Sequence, residues 1–217
     1  QYMDNGIARV IHFSNLMAPE KSRFFNWSKP FVQLETTRGC FNTCAFCVSG
    51  GEKPIRTLSI SSIRERLQVI HQHGIKNVRV LDRTFNYNPS RAKELLQLFL
   101  EFSPDLRFHL EIHPALLSPE LKKGLQLLPT GLLHLEAGIQ SLREPVLQKS
   151  KRIGQLDDAL EGLKFLCSLS NMETHADLIA GLPLYKLTEM FEDVRTLAEY
   201  NAGEIQLELL KLLPGTE

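Results

Sequence analysis

Three cysteines stand close together early in the chain, in the stretch RGCFNTCAFC. Cys40, Cys44 and Cys47 follow the spacing C-x3-C-x2-C, whereas the fourth cysteine, Cys167, lies far away in an apolar helical pattern typical of a core residue. A structural zinc site needs four ligands, and a disulfide pair would not need three thiols. An iron–sulfur cluster held by three thiolates leaves one iron with the open position that metal chemistry requires. The cysteines alone leave these alternatives open.

Strand-like and helix-like patterns alternate around this motif. Such alternation predicts parallel strands joined by helical crossovers, and six units are too few for a closed eight-unit barrel. We therefore predict an α/β fold, a partial open (β/α)6 barrel of parallel strands, in preference to a doubly wound sheet. The predicted strands cover residues 31–36, 77–81, 107–113, 132–139, 173–180 and 204–211.

Helix-start signals precede several of the intervening amphipathic stretches. Asn88-Pro89 and Ser118-Pro119 each offer a capping side chain followed by a proline at the first helical position. Ser62 and Glu65 have the spacing of a capping box.

One face of most predicted strands is polar. Parallel strands covered on both faces are normally almost wholly apolar, so this alternation predicts a wet lumen that holds something polar. A two-layer sheet with one solvent-exposed face is the alternative. The polar positions are Gln33, Glu35, His109, Glu111, His113, His134, Glu136, Gln140, His175, Asp177, Gln206 and Glu208.

Composition limits the location and the partners. The 217 residues carry no formal net charge, and no apolar run approaches the length of a membrane span, so nothing favours a nucleic-acid or membrane partner. Clustered cysteines without a disulfide framework are typical of a reducing compartment, which predicts a cytoplasmic location. We interpret residues 1–30 as a linker or N-terminal arm and residues 31–217 as the core of a longer protein, cut at both ends.

The cysteine motif, with Phe46 directly before Cys47, resembles the signature of the radical S-adenosylmethionine (SAM) enzymes. GIQS (138–141) and DLIAGLP (177–183) resemble segments of that superfamily in the right order, and the likeness covers roughly residues 31–217. The stretches LETTRGCFNTCAFC, LDRTFN, LEAGIQS and LKLLPGT are similar to an uncharacterised subgroup that usually carries an N-terminal cobalamin-binding domain. We expect no such domain within this chain, so cobalamin is expected only in a longer form.

The resemblance implies a [4Fe–4S] cluster on Cys40, Cys44 and Cys47, with the amino and carboxylate groups of SAM on the remaining iron. An electron from an external donor would break a C–S bond, and a 5′-deoxyadenosyl radical would abstract hydrogen from an unknown substrate. The chain is thus predicted to be a radical SAM enzyme of unknown reaction. The alternative is a non-catalytic iron–sulfur or zinc module for electron transfer or partner docking.

The superfamily's Gly-Gly-Glu, which receives the methionine amino group, ends the second strand. Here Gly50-Gly51-Glu52 comes just after Cys47, so we interpret this triplet as part of a loop. The equivalent position is occupied by residues 82–84, where Asp82 could accept from the ammonium group and Thr84 could assist. A strand-end aspartate that caps the next turn is the alternative for Asp82.

Other SAM contacts implied by the resemblance lie on later segments. Glu136 is expected to contact the cofactor and to have a cationic or hydrogen-bonding partner, because an unpaired buried carboxylate is costly. Arg152 could grip the methionine carboxylate, or it could be a solvated charge at a helix start. Gln140 and Ser141 could reach the ribose, and Gly181 would shape the backbone that packs on adenine. The expected cofactor-binding residues are therefore Phe46, Asp82, Thr84, Glu136, Gln140, Ser141, Arg152 and Gly181.

The third predicted strand carries His109, Glu111 and His113 on its polar face. None has a clear part in cofactor binding within the family. We predict that they position substrate or transfer a proton from the side of the cavity opposite the cysteine loop. The alternative is that Glu111 pairs with a neighbouring histidine and only completes the wall of the cavity.

Overall fold

The computed structural model describes Phe13 and residues 16–216, and its centre is a sheet of six parallel strands. In this described part of the chain, six α-helices lie between or beside the strands. The strands are β1 (Phe31–Leu34), β2 (Thr37–Arg38), β3 (Arg56–Thr57), β4 (Asn77–Val80), β5 (Arg107–Ile112), β6 (Leu133–Gln140), β7 (Glu173–Ala180) and β8 (Glu204–Leu209). The helices are α1 (Ile60–Gln72), α2 (Pro89–Leu100), α3 (Pro119–Gln126), α4 (Glu144–Lys149), α5 (Leu156–Cys167) and α6 (Leu187–Glu199).

The strand order is β1-β4-β5-β6-β7-β8, and every neighbouring pair is parallel. Within residues 16–216, β1 pairs only with β4 and β8 only with β7, so the sheet stays open. This confirms the predicted partial barrel. β2 and β3 form a separate antiparallel hairpin next to β1.

The helix starts follow local side-chain chemistry, with one correction. Asn88 accepts from a backbone N–H at the start of α2 and Ser118 does so at the start of α3, as predicted. Helix α1, however, is capped by Ser59, whose hydroxyl accepts from the N–H of Ser62. The prediction of a capping box at Ser62 and Glu65 is therefore wrong, because the serine that adopts the extended cap conformation comes three residues earlier.

The apolar strand faces pack beneath the helices. Phe108 on β5 stacks on Phe99 of α2 with ring centroids 3.9 Å apart, and Leu110 and Leu135 are fully buried. Because alternate residues of a strand face opposite sides, this packing turns the polar positions of β5, β6 and β7 towards the lumen.

The described part of the N-terminal arm packs against α1. Glu20 is buried and forms an ion pair with Arg66 at 2.7 Å, and Trp27 stacks on His73 with centroids 3.7 Å apart. Among the described residues, none of the helices has the length and apolar character needed to cross a membrane.

Candidate active site

The cysteines lie on a loop closed by the β2–β3 hairpin. Its entry is tight: Gly39 has φ +103°, and a Cβ there would lie 2.6 Å from the carbonyl oxygen of Glu52. The N–H of Cys40 donates to that same oxygen. Cys40 and Cys44 are buried, Cys47 is partly buried, and none forms a disulfide. Gly50-Gly51-Glu52 is part of this loop, as interpreted from the sequence.

The loop also docks on the segment that follows α4. The N–H of Ala45 donates to the carbonyl of Ser150, and the side-chain oxygen of Asn42 accepts from the N–H of Ile153 at 3.2 Å. These bonds bring Arg152 to the cysteines.

A cavity of about 150 Å³ opens between the cysteine loop and the carboxyl ends of the strands. This is the edge of an α/β barrel where active sites are found. A larger cavity of about 1010 Å³ lies between the arm and α1, and its lining includes no cysteine, so we place the site in the smaller one. The lining residues of the smaller cavity are Cys40, Asn42, Cys44, Phe46, Cys47, Gly50, Arg83, Thr84, Glu111, Ile112, His113, Glu136, Gly138, Gln140, Arg152 and Asp177.

Arg152 joins the cysteine loop to β6. Its Nη2 donates to the carbonyl of Gly138, and its Nη1 lies 3.9 Å from the Sγ of Cys44. Burial raises the pKa of the Cys44 thiol, and the Arg152 guanidinium opposes that rise. A fixed positive charge beside the cysteines suits both thiolate ligands and an anionic group of a bound molecule.

Glu136 has the partner expected of it. The Nε2 of His109 donates to its Oε2 at 2.7 Å, and this hydrogen bond lowers the pKa of Glu136. His109 lies two residues before Glu111 on the same face of β5, and it is not among the residues that line the cavity.

Glu111 lacks the histidine partner that the alternative required. The nearest opposite charge is Arg83, whose Nη1 lies 3.7 Å from a Glu111 carboxylate oxygen. Burial and the charge of Glu136 raise the pKa of Glu111 to about 7. The idea that Glu111 only pairs with a histidine is therefore wrong, because His109 bonds to Glu136 instead.

His113 is almost fully buried beside the cysteine loop. Its Nε2 lies 3.0 Å from the carbonyl oxygen of Ile153, which can only accept, so Nε2 carries the proton. Burial and the Arg152 charge lower the pKa of His113 to about 4, and its Nδ1 has no hydrogen-bond partner among the described residues. The ring is thus a neutral acceptor. Glu111 and His113 both line the cavity of the cysteines. The prediction that they lie opposite the cysteine loop is wrong for His113, because its ring packs beside Phe41 of that loop with centroids 6.0 Å apart.

Asp82 has a different place from the one expected. It is 2% exposed, and its Oδ1 accepts from the backbone N–H groups of Thr36 and Thr37, both at 2.8 Å. The hydroxyl of Thr36 donates to its Oδ2. The structure corrects the expected ammonium contact: the carboxylate ties β4 to the end of β1, and it is Thr84 that lines the cavity.

Two further expected cofactor residues lie outside the cavity lining in the described chain. Ser141 is fully buried, accepts from the N–H of Arg143 and lies 3.5 Å from a carboxylate oxygen of Asp193, so it joins β6 to α6. Gly181, at φ +92°, lies beside Leu210 instead. Phe46, Thr84, Glu136, Gln140 and Arg152 do line the cavity, which leaves their predicted contacts with SAM open to test.

The sequence reasoning gave no role to Asp177, Arg83 or Asn42, which all line the cavity. Asp177 was recognisable as a polar position of β7. Asn42 and Arg83 stand in loops without a periodic pattern, so only the folded chain shows that they face the cysteines.

The fold is an open α/β barrel with three cysteines at the carboxyl ends of its strands, and comparison with known proteins gives the class. The family model described as the radical SAM superfamily matches residues 34–198, which is more than half of the chain. The chain belongs to the radical SAM superfamily and is an enzyme of that class.

Curated relatives match shorter parts of the chain. An uncharacterized methyltransferase of Pyrococcus horikoshii is 38% identical over 69 residues, covering 30% of this chain and 15% of that protein. A tRNA-2-methylthio-N(6)-dimethylallyladenosine synthase of Acinetobacter baylyi is 28% identical over 168 residues, covering 71% of this chain and 34% of that protein. The chain therefore spans about a third of the synthase and less of the methyltransferase.

Solved structures share the fold. The radical SAM methyltransferase TsrM from Kitasatospora setae, with cobalamin and a [4Fe–4S] cluster bound, superposes with a TM-score of 0.74 at 20% identity, covering 86% of this chain and 38% of that chain. Coproporphyrinogen III oxidase (HemN) from Escherichia coli gives a TM-score of 0.63 at 19% identity, covering 85% of this chain and 44% of that chain. These likenesses support the α/β radical SAM fold.

Proposed function

We propose that Cys40, Cys44 and Cys47 hold a site-differentiated [4Fe–4S] cluster and that SAM binds beside it at the opening of the cavity that these cysteines line. When bound, the cluster supplies an electron that breaks a C–S bond of SAM and so starts radical chemistry on a substrate. The observation that carries the proposal is that all three thiols line one cavity with a fixed arginine and several carboxylates.

The residues around the thiols fit such a group. A Cβ at Gly50 would lie 2.7 Å from the carbonyl oxygen of Cys44 and 3.0 Å from that of Cys47, so only glycine allows the loop to fold this closely around the cysteines. No other cysteine of the described chain lines the cavity, because Cys167 packs against the core at the end of α5. Three thiolates without a fourth leave an iron for SAM.

Arg152 is suited to hold the methionine carboxylate. Two of its five N–H donors are directed at Gly138 and Cys44, which leaves others for a carboxylate and fixes the orientation of the guanidinium. Thr84 remains the candidate for the ammonium side, and Gln140 for the ribose. Phe46 and Glu136 border the same space.

Glu111 and His113 are proposed to act on the substrate. With a pKa of about 7, Glu111 is populated in both protonation states near neutral pH and could accept or donate a proton. Neutral His113 offers its Nδ1 as an acceptor for a substrate N–H or O–H. A radical reacts with whatever it touches, so fixed contacts that hold substrate and exclude water are needed here.

The type of reaction is proposed only in outline. One curated relative is described as a methyltransferase and another as a tRNA-2-methylthio-N(6)-dimethylallyladenosine synthase, which supports group transfer as the type of reaction. TsrM binds cobalamin, and a longer form of this chain with a cobalamin-binding domain remains our proposal.

Anaerobic reconstitution with iron and sulfide, followed by SAM and a strong reductant, tests this function. We expect a brown protein with the iron and sulfide content of a [4Fe–4S] cluster, and formation of 5′-deoxyadenosine or S-adenosylhomocysteine. Alanine at Cys40, Cys44 or Cys47 should abolish both.

Cys167→Ala is the matched control and should keep the cluster and the products. Loss of the cluster in Cys167→Ala would refute a three-cysteine site. A stable cluster that never yields either product would instead support a carrier of electrons.

A further inference from the structure

A second group of metal-ligating side chains lies in the lumen, separate from the cysteines. Glu136 on β6 is the sheet partner of His175 on β7, and Asp177 is two residues further along β7. The His175 Nε2 lies 3.3 Å from the Asp177 Oδ1 and 3.6 Å from the Glu136 Oε2. One ligand atom from each of the three residues lies within 4.8 Å of the others.

Two of these ligand atoms are buried and make no hydrogen bond of good geometry within the described chain, although they lie 3.3 Å from one another. His175 is 5% and Asp177 9% exposed, and neither His175 Nε2 nor Asp177 Oδ1 makes a hydrogen bond among the described residues. Buried polar atoms in native proteins are nearly always hydrogen-bonded, so this poorly aligned pair leaves lone pairs that a bound cation would satisfy.

Two neighbouring histidines hydrogen-bond to these candidate ligands, in the way that residues behind a metal site hold its ligands in place. The Nδ1 of His175 lies 3.0 Å from the Nε2 of His134, so the other ring nitrogen of His175 is held in place. His109 donates to the Glu136 carboxylate at 2.7 Å. Metal-binding histidines and carboxylates characteristically have such second partners, which fix the tautomer and direct the lone pairs.

We propose that Glu136, His175 and Asp177 bind a first-row divalent cation such as Mn²⁺ or Zn²⁺. With metal–ligand bonds of about 2.1 Å, two ligands of a tetrahedral ion are about 3.4 Å apart, close to the separations of 3.3 Å and 3.6 Å measured from His175 Nε2. One imidazole and two carboxylates are ligands that these ions accept. Because Glu136 and Asp177 line the cavity, the remaining coordination position faces it and would take an oxygen of an anionic substrate.

The competing arrangement is an ion cluster without a metal. Burial lowers the pKa of His175, but the neighbouring Asp177 carboxylate and the charge of Glu136 outweigh it and raise the pKa overall. A protonated His175 between two carboxylates would also satisfy His175 Nε2 and Asp177 Oδ1 without a metal ion. The two arrangements differ in whether the protein takes up a cation.

The test is a Mn²⁺ titration of the cluster-loaded protein, followed by the electron paramagnetic resonance signal of free Mn²⁺. The cluster occupies the cysteines, and its oxidised form is diamagnetic and adds no signal. We expect a single Mn²⁺ ion per chain and a higher melting temperature in its presence. Asp177→Asn, which preserves shape, and His175→Gln should each weaken binding at least tenfold, and His134→Ala about 10–100-fold.

His71→Ala removes the histidine of an exposed His71–Asp105 pair, 3.0 Å apart, and is the matched control. It should bind Mn²⁺ as the wild type does. Equal binding by wild type, Asp177→Asn and His175→Gln, or no uptake of Mn²⁺ or Zn²⁺ by the wild type, would overturn the metal site in favour of the protonated cluster. Since uptake is measured without SAM, a protein that binds Mn²⁺ but never cleaves SAM would refute the proposed function alone.

Discussion

Glutamine in place of Glu111 should stabilise the protein above neutral pH and much less in mild acid. The carboxyl group has an ordinary pKa of 4.5, which burial and Glu136 raise to about 7 in the folded chain. Its folded form therefore binds the proton more tightly than its unfolded form. The contribution of this carboxyl group to the free energy of unfolding is therefore most favourable below pH 4.5. That contribution is lost as the pH rises through about 7.

The size of this loss follows from the two pKa values. Each unit of difference between the folded and the unfolded pKa corresponds to about 1.36 kcal/mol, so the difference between 4.5 and about 7 corresponds to about 3 kcal/mol in the free energy of unfolding. The Glu111 side chain is 31% exposed and lies near Arg83, so solvent screening reduces the expected cost to about 2 kcal/mol. Glutamine cannot ionise and avoids this cost.

Urea unfolding of the reduced, cluster-free chain measures the effect at about pH 5 and about pH 8, with a chelator present to exclude cations. The stability advantage of Glu111→Gln should be clearly larger at the higher pH. Glu120→Gln, at an exposed carboxylate of α3, controls for the loss of a charge. An advantage of the same size at both pH values would refute the reasoning.

The same variant separates the substrate from the cofactor. Glu111→Gln should leave cluster content and SAM affinity unchanged while it lowers substrate-dependent turnover. A fall in SAM affinity, measured by equilibrium dialysis, would move Glu111 into the cofactor site.

Further predictions address packing, the β1–β4 tie and the SAM carboxylate. Gly162→Ala should destabilise the chain by about 2 kcal/mol in urea unfolding, because its Cβ would lie 2.0 Å from the carbonyl oxygen of Pro114. Gly124→Ala on α3, where the Cβ meets nothing within 4 Å, should stabilise the chain by about 0.5–1 kcal/mol. If the two alanine variants changed the free energy of unfolding equally, the close contact at Gly162 would be contradicted. Asp82→Ala should cost about 3 kcal/mol because two buried N–H groups lose their acceptor; unchanged stability with weaker SAM binding would restore its predicted cofactor role. Arg152→Lys should weaken SAM binding about tenfold in dialysis while the cluster is kept, and unaltered affinity would remove Arg152 from the carboxylate site.

The sequence by itself determined the features that local patterns encode. The spacing of the cysteines singled out the cysteine loop as a candidate site, and period-two alternation marked the strands and the polar face of β5, β6 and β7. Both patterns involve residues only a few positions apart in the sequence. Such residues lie close together in space regardless of how the rest of the chain folds.

Tertiary structure decided which polar side chain serves which purpose. Asp82 and Ser141 stand at strand ends where either a ligand contact or a structural tie is possible. Their hydrogen bonds to Thr36 and to the region of Asp193 join residues 46 and 52 positions apart. No local pattern reports such a pairing.

The lumen shows the same limit most clearly. Alternation predicted that His109, Glu136 and His175 would share a polar interior. The register between neighbouring strands sets which atoms meet, and it leaves His175 Nε2 facing two carboxylates while His109 bonds to Glu136. Register is fixed by the packing of the whole sheet against its helices, so the arrangement of these groups, and the chemistry open to them, exists only in the folded chain.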